Sequence, residues 1–133
     1  DKFIGDSVVA IFYDRPGESG VIQAIRAALE MNRQHRLIQQ ARMLQGDFSY
    51  RMGVGIDCGA LMVGTIRSQG RHEHSIIGDA RHNADVLESL SRYGQHTRIV
   101  LSADACQAFP DGEYLALSQG PGFELIGLKE SAA

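Results

Sequence analysis

The apolar positions of the first dozen residues fall into two short runs, Phe3–Ile4 and Val8–Phe12, on either side of Gly5 and Asp6. β-rich runs flanking a Gly-Asp pair predict a hairpin over Lys2–Phe12 with Asp6 at its tip. The following stretch, DRPGESG over Asp14–Gly20, is a loop by its Pro and Gly content, and Glu18 and Ser19 are cap or first-turn residues for what comes next. From Val21 to Leu44 the period changes. Ile22, Ile25, Ala28, Leu29, Met31, Leu37, Ile38, Ala41 and Leu44 recur mostly at three- and four-residue spacing, with Arg26, Glu30, Arg33, Arg36 and Arg42 between them. That pattern predicts an amphipathic helix whose arginines form a solvated face, ended by Gln45, Gly46 and Asp47.

Two further strands are predicted over Phe48–Asp57 and Ala60–Arg67, joined as a hairpin by Cys58 and Gly59. Gly53, Gly55, Gly59 and Gly64 recur along them. Glycine weakens a strand interior, so this density points to bulges or to the close approach of another backbone or of a ligand. A turn over Ser68–Gly70 leads into Arg71–Leu90, RHEHSIIGDARHNADVLESL, which reads as a strand, a second Ile-Gly-Asp turn at Ile77–Asp79, and a helix over Ala80–Tyr93 stopped by Gly94. Val86, Leu87 and Leu90 supply its apolar face, and Asp79 is placed to cap it. Arg98–Ser102 reads as a strand, Asp104–Phe109 as a short helix, and Tyr114–Leu117 with Phe123–Leu128 as a final hairpin. Hairpins are as frequent as crossovers here, which predicts an antiparallel-rich α+β sheet layered with helices rather than a doubly wound one.

A chain of 133 residues fits one domain that buries about two thirds of its unfolded surface without crosslinks. Cys58 and Cys106 are too far apart in sequence for metal-ligand spacing, so the expectation is idle thiols in a reducing, cytoplasmic compartment. No apolar run is long enough to span a bilayer. The net charge of -3, with no basic stripe, argues against a nucleic-acid partner. The chain opens in what already reads as strand sequence, which fits a piece of a longer protein.

Asp6, a carboxylate beside glycine at a hairpin tip, is either a turn former or a ligand for a hard divalent cation. Mg²⁺ is usually held by one or two carboxylates, with phosphates and water completing its octahedron. Lys2, on the strand leading to Asp6, and Ser75, three residues before Gly78, could each read a base edge or a phosphate. His72 and His74 alternate on one strand without a third ligand at sensible spacing, and read as surface histidines.

Three blocks, DKFIGDSVVAIF, YRMGVGIDCGALMVGTIRS and the Arg71–Ser89 stretch ending VLES, resemble in order and spacing the catalytic domain of class III adenylate and guanylate cyclases. The resemblance covers nearly the whole of residues 1–133. It implies a ferredoxin-like (βαββαβ-type) α+β fold whose first strand precedes residue 1, a head-to-tail dimer, and a nucleotide site built across its interface. Two metal ions, Mg²⁺ or Mn²⁺, would be held by two aspartates. Asp6 matches the second of these, and the first lies upstream of this chain. Lys2 matches the adenine-reading lysine and Ser75 its partner, a pair that favours ATP over GTP.

The resemblance then breaks. The family's ribose-orienting Asn and transition-state Arg correspond here to His82 and Val86, and a basic residue often found in the last block corresponds to Ile126. A register shifted by one would bring Asn83 to the ribose position but would lose the Leu87-Glu88-Ser89 match. Losing an arginine that acts in the transition state costs orders of magnitude in phosphoryl transfer. Two readings follow: a cyclase subunit, converting ATP to cyclic AMP and pyrophosphate, that pairs with a chain supplying Asn and Arg, or a non-catalytic cyclase-homology domain acting in nucleotide binding, dimerisation or regulation. The Gly-Gly-Asp/Glu-Glu-Phe signature of the related diguanylate cyclases is absent from the sequence. As part of a signalling protein, the domain is expected in the cytoplasm, alone or as the cytoplasmic part of a membrane protein.

Overall fold

The computed structural model describes residues 2–4 and 6–129, apart from the side chains of residues 2–4, 66, 68 and 71–74. They form two compact units, Asp1–Tyr50 and Arg51–Ala133. Among the described residues no helix is long and apolar enough to cross a membrane.

In the first unit, β1 (Lys2–Ile4) and β2 (Ser7–Val9) pair antiparallel in the register Ile4↔Ser7, so Asp6 sits in the tight connection, as expected. β2 ends three residues earlier than the apolar run. The loop that follows is closed by Arg15 and Glu18, which exchange backbone hydrogen bonds of 2.9 and 2.8 Å. Helix α1 (Gly20–Leu44) starts where its caps dictate: the Ser19 hydroxyl accepts from the Ile22 amide, and Asp14 Oδ1 accepts from the Gly20 amide at 2.7 Å.

Only Gly20, Ile25 and Ala28 of α1 are buried, while Leu37, Ile38, Met43 and Leu44 stay exposed. The predicted apolar stripe is therefore buried only near the helix start. Phe48–Tyr50, predicted as strand, instead folds back along the end of α1. The Tyr50 amide donates to Gln39 Oε1 at 2.9 Å, the Tyr50 ring meets His35 edge-on, and Arg42 donates to the Phe48 carbonyl while lying over both aromatic rings. Arg42 is thus a fastening rather than part of a solvated face.

The second unit is built on a four-stranded sheet, in the order β3 (Val54–Ile56), β6 (Ile99–Leu101), β8 (Phe123–Leu128), β7 (Gly112–Ala116). β3 and β6 run parallel, and the other two pairings are antiparallel. β6 is apolar throughout because it lies inside the sheet, and Ile99, Val100 and Leu101 have no exposed surface. Helix α2 (Asp79–Leu90), continued by a 3₁₀ turn over Ser91–Tyr93, packs on β3 and β6, and α3 (Ala103–Ala108) starts at a Ser102 cap on Ala105.

β3 and β4 (Met62–Ser68) make no hairpin. β4 pairs instead with β5 (Arg71–Ile77) around the predicted Ser68–Gly70 turn, as a separate two-stranded ribbon. Gly55 within β3 and Gly53 just before it leave room for α2 and its 3₁₀ extension to lie close against this strand. A β-carbon on Gly55 would lie 2.3 Å from the Ala84 carbonyl oxygen and the Glu88 nitrogen, and one on Gly53 would lie 1.8 Å from Ser91 Oγ. The class is the expected α+β one, with four of the five strand pairings among the described residues antiparallel.

One internal fastening escaped the sequence reading. Glu124, on β8 and 2% exposed, accepts from the amides of Gln95 (3.1 Å), His96 (2.8 Å) and Arg98 (2.9 Å). It holds Arg98 in a left-handed conformation (φ 57°) that non-glycine residues rarely adopt. A glutamate set among the apolar positions of FELIGL was the available signal, since a carboxylate facing inward must find donors.

Candidate functional site

Each expected site residue sits on an element whose geometry follows from local sequence. The β1–β2 hairpin brings the Lys2 strand beside the turn bearing Asp6, whose carboxylate is exposed to solvent. The Lys2 side chain lies outside the described residues, as do those of His72 and His74. Ser75, half-buried on β5, stands directly opposite Gly64 on β4.

The second Ile-Gly-Asp turn carries the chain from β5 into α2. Gly78 occupies φ 153°, ψ 161°, and a β-carbon there would lie 2.9 Å from the Ala60 carbonyl oxygen, so glycine is required. Gly78 is itself the cap residue and makes no side-chain cap bond. Asp79 is therefore the first helical residue rather than the cap, and its charge complements the positive end of the helix dipole.

Along α2, one face is buried through Ala80 and Leu87. His82 and Val86, one turn apart, share another face and are both exposed. Val86 was expected in the apolar face with Leu87. The two are adjacent in sequence and so about 100° apart around the helix, and only Leu87 turns inward.

Two neighbours of these positions are engaged elsewhere. Asn83 Nδ2 donates to Asp57 Oδ2 at 3.0 Å, and Asp57 Oδ1 accepts from the Cys58 amide at 2.8 Å. This ties the exit of β3 to the second turn of α2, and the Asn83 carboxamide is committed to it. Arg81, the one arginine in α2, pairs with Asp85 at 2.5 Å. Its position is about 100° from His82 and about 140° from Val86, so it does not enter their face.

Among the described residues no group of three His, Cys, Asp or Glu side chains is gathered to hold a metal. Asp6 is a single exposed carboxylate, the kind of ligand that Mg²⁺ takes together with phosphates and water. Ile126, on β8, is exposed and carries no charge. In the first unit the hairpin exposes the Asp6 carboxylate; in the second the ribbon carries Ser75 and α2 exposes His82 and the uncharged Val86.

No protein-family profile matches the chain. Among curated proteins, "Adenylate cyclase, terminal-differentiation specific" of Dictyostelium discoideum is 32% identical over 108 residues, 81% of this chain and 5% of that protein. An adenylate cyclase of Anabaena cylindrica is 30% identical over 120 residues, 88% of this chain and 24% of that protein. This chain therefore spans only a small part of either relative. Among solved structures, the guanylyl cyclase Cya2 superposes with a TM-score of 0.64 at 21% identity, over 86% of this chain and 61% of that one, which shows a shared fold of ferredoxin-like type. Sequence and fold together define a nucleotide cyclase domain. Within that class the chain is a class III cyclase domain, the family that its Ile-Gly-Asp blocks imply.

Proposed function

We propose that this domain is the cation-holding half of a composite cyclase that converts ATP to cyclic AMP and pyrophosphate, the other half being a cyclase domain that supplies Asn and Arg. The observation that carries the reading is the exposed face of α2, where His82 and Val86 stand in place of a ribose-orienting amide and a transition-state guanidinium. A site completed by this face lacks the charge that phosphoryl transfer demands. A site that takes only Lys2, Asp6 and Ser75 from this chain does not need it. A homodimer would then have no working site, and a heterodimer one.

In such a site the ribose 3'-oxygen forms a bond to the α-phosphorus while the bond from that phosphorus to the bridging β-oxygen breaks. Pyrophosphate departs, and the hydroxyl proton is released. Asp6 is the residue of this chain that would hold Mg²⁺ or Mn²⁺, which when bound supplies charge neutralisation at the phosphates. Lys2 and Ser75 would bind the base edge. ATP is favoured over GTP by that pair and by the names of the curated relatives, although the solved neighbour is a guanylyl cyclase.

The second reading, a non-catalytic domain that binds nucleotide or only dimerises, draws on the same uncharged Val86 and on Ile126. A cyclase assay with ATP and Mn²⁺ separates the two. The expected outcome is no turnover for the protein alone, and turnover on adding a cyclase domain that carries Asn and Arg, abolished by Asp6→Ala in this chain. Analogue binding without turnover under any pairing would favour the non-catalytic reading.

A further inference from the structure

Of the four glycines clustered after Arg51, three are accounted for by the fold. Gly53 and Gly55 admit the backbone and side chains of α2 and its 3₁₀ extension, and Gly59 turns at φ 153°. Gly64 has no such reason. It lies inside β4, in a conformation open to any residue, and a β-carbon there would meet nothing within 4 Å. Glycine in a strand interior gives up both backbone entropy and side-chain packing.

Its register gives it a use. Gly64 is directly opposite Ser75, so the two share one face of the β4–β5 ribbon. The next pair on that face is Met62↔Ile77. Met62 and Ile77 are 74% and 62% exposed, and form an apolar wall beside a backbone stretch left bare by Gly64, with the Ser75 hydroxyl across from it. A flat ring lying on a peptide plane rests at about 3.5–4.0 Å, within the space that a side chain at 64 would fill. An apolar wall with one placed polar group is the make-up of a site for a planar heterocycle.

We propose that Gly64 is a specificity-determining position of the nucleotide site: its missing side chain lets a purine ring lie flat on β4, with its edge at the Ser75 hydroxyl and its side against Met62 and Ile77. The inference rests on the nucleotide-binding reading of Ser75 given above.

The test is equilibrium binding of a non-hydrolysable ATP analogue and of inorganic tripolyphosphate to the protein and to Gly64→Val, Ser75→Ala and Val63→Ala, the last on the opposite face of the ribbon. Thermal unfolding and sedimentation are measured on each variant. Gly64→Val is expected to weaken the analogue by about tenfold or more. Tripolyphosphate binding, unfolding temperature and association state should stay as they were, and Val63→Ala should bind normally. Analogue binding lost in Ser75→Ala but kept in Gly64→Val overturns this inference and leaves the nucleotide reading standing. A changed association state in nucleotide-free Gly64→Val would assign the face to a protein contact and also overturn it. Failure of the unaltered protein to bind the analogue overturns the nucleotide reading, and this inference with it.

Discussion

The two sheets of the second unit differ in what they do with their apolar residues. In the β3-β6-β8-β7 sheet, Ile99, Val100, Leu101 and Leu125 are fully buried, and helices pack on β3 and β6. In the β4–β5 ribbon, Met62, Val63 and Ile77 face outward. An isolated two-stranded ribbon is marginal in water, whereas a sheet with a covered face holds itself. Stability is therefore concentrated in the sheet, and under the proposed reading the ribbon's exposed residues serve binding. Substitutions should follow the same division: costly in stability in the sheet, costly in binding on the ribbon.

The sharpest break of that comparison would come at Glu124. Glu124→Ala removes the buried acceptor of three amides in the partly exposed loop Gln95–Arg98 and releases the left-handed Arg98, with an expected loss of about 2–4 kcal/mol in urea denaturation. A loss below about 1 kcal/mol would mean that the sheet does not depend on this clasp.

Gly55→Ala is next. Its methyl group would drive into the backbone of α2, and overpacking of this kind costs about 1–3 kcal/mol. The same change at Gly64, in open space on the ribbon, should stay within about 0.5 kcal/mol. Equal costs at the two glycines would erase the distinction between sheet and ribbon.

The smallest effect is an alkaline one. Burial pushes the Cys106 thiol up from 9.0 to about 11. Burial, with smaller contributions from Cys106 and Asp111, pushes the Tyr114 phenol up from 10.0 to about 12. Both groups hold their protons longer folded than unfolded, so stability is complete below pH 9 and falls as pH rises from about 9 towards 12. Tyr114 also donates to the Phe109 carbonyl at 2.7 Å. Denaturation curves from pH 8 to 11 should show the decline, and Tyr114→Phe should flatten its upper part at the cost of that one hydrogen bond. A flat profile in the unaltered protein would show that these groups are not held neutral by the sheet side of the unit.

Much of this was legible because short-range rules act on few residues. Gly-Asp between β-rich runs yields a hairpin with Asp6 at its turn, and Ser19 caps a helix where a small hydroxylated residue precedes a periodic run; Ser102, read as the end of a strand, proved to be the cap of α3. His82 and Val86 fall on one face because they are four residues apart on a helix. The misses were partner choices. Nothing local to Val54–Ile56 says that it pairs in parallel with Ile99–Leu101 rather than with the strand that follows it. That pairing joins residues 45 positions apart (Val54↔Ile99), and the helix packed on both strands lies between them in sequence, so no local pattern reports it. Asp79 looked like a cap because Asp favours that role, but the φ and ψ of Gly78 gave the place to the glycine.

By itself the sequence determined the order of the elements, the two Ile-Gly-Asp turns, the identity of the candidate contacts and the uncharged Val86 in α2, since all of these depend on residue type and on spacing along the chain. Only the tertiary structure decided which strand lies beside which, that Glu124 faces inward to three amides, that Asn83 is committed to Asp57, and that Gly64 stands bare across from Ser75. Those depend on register and on contacts between residues distant in sequence. Their energies come from burial and from hydrogen bonds formed only once the chain has closed on itself.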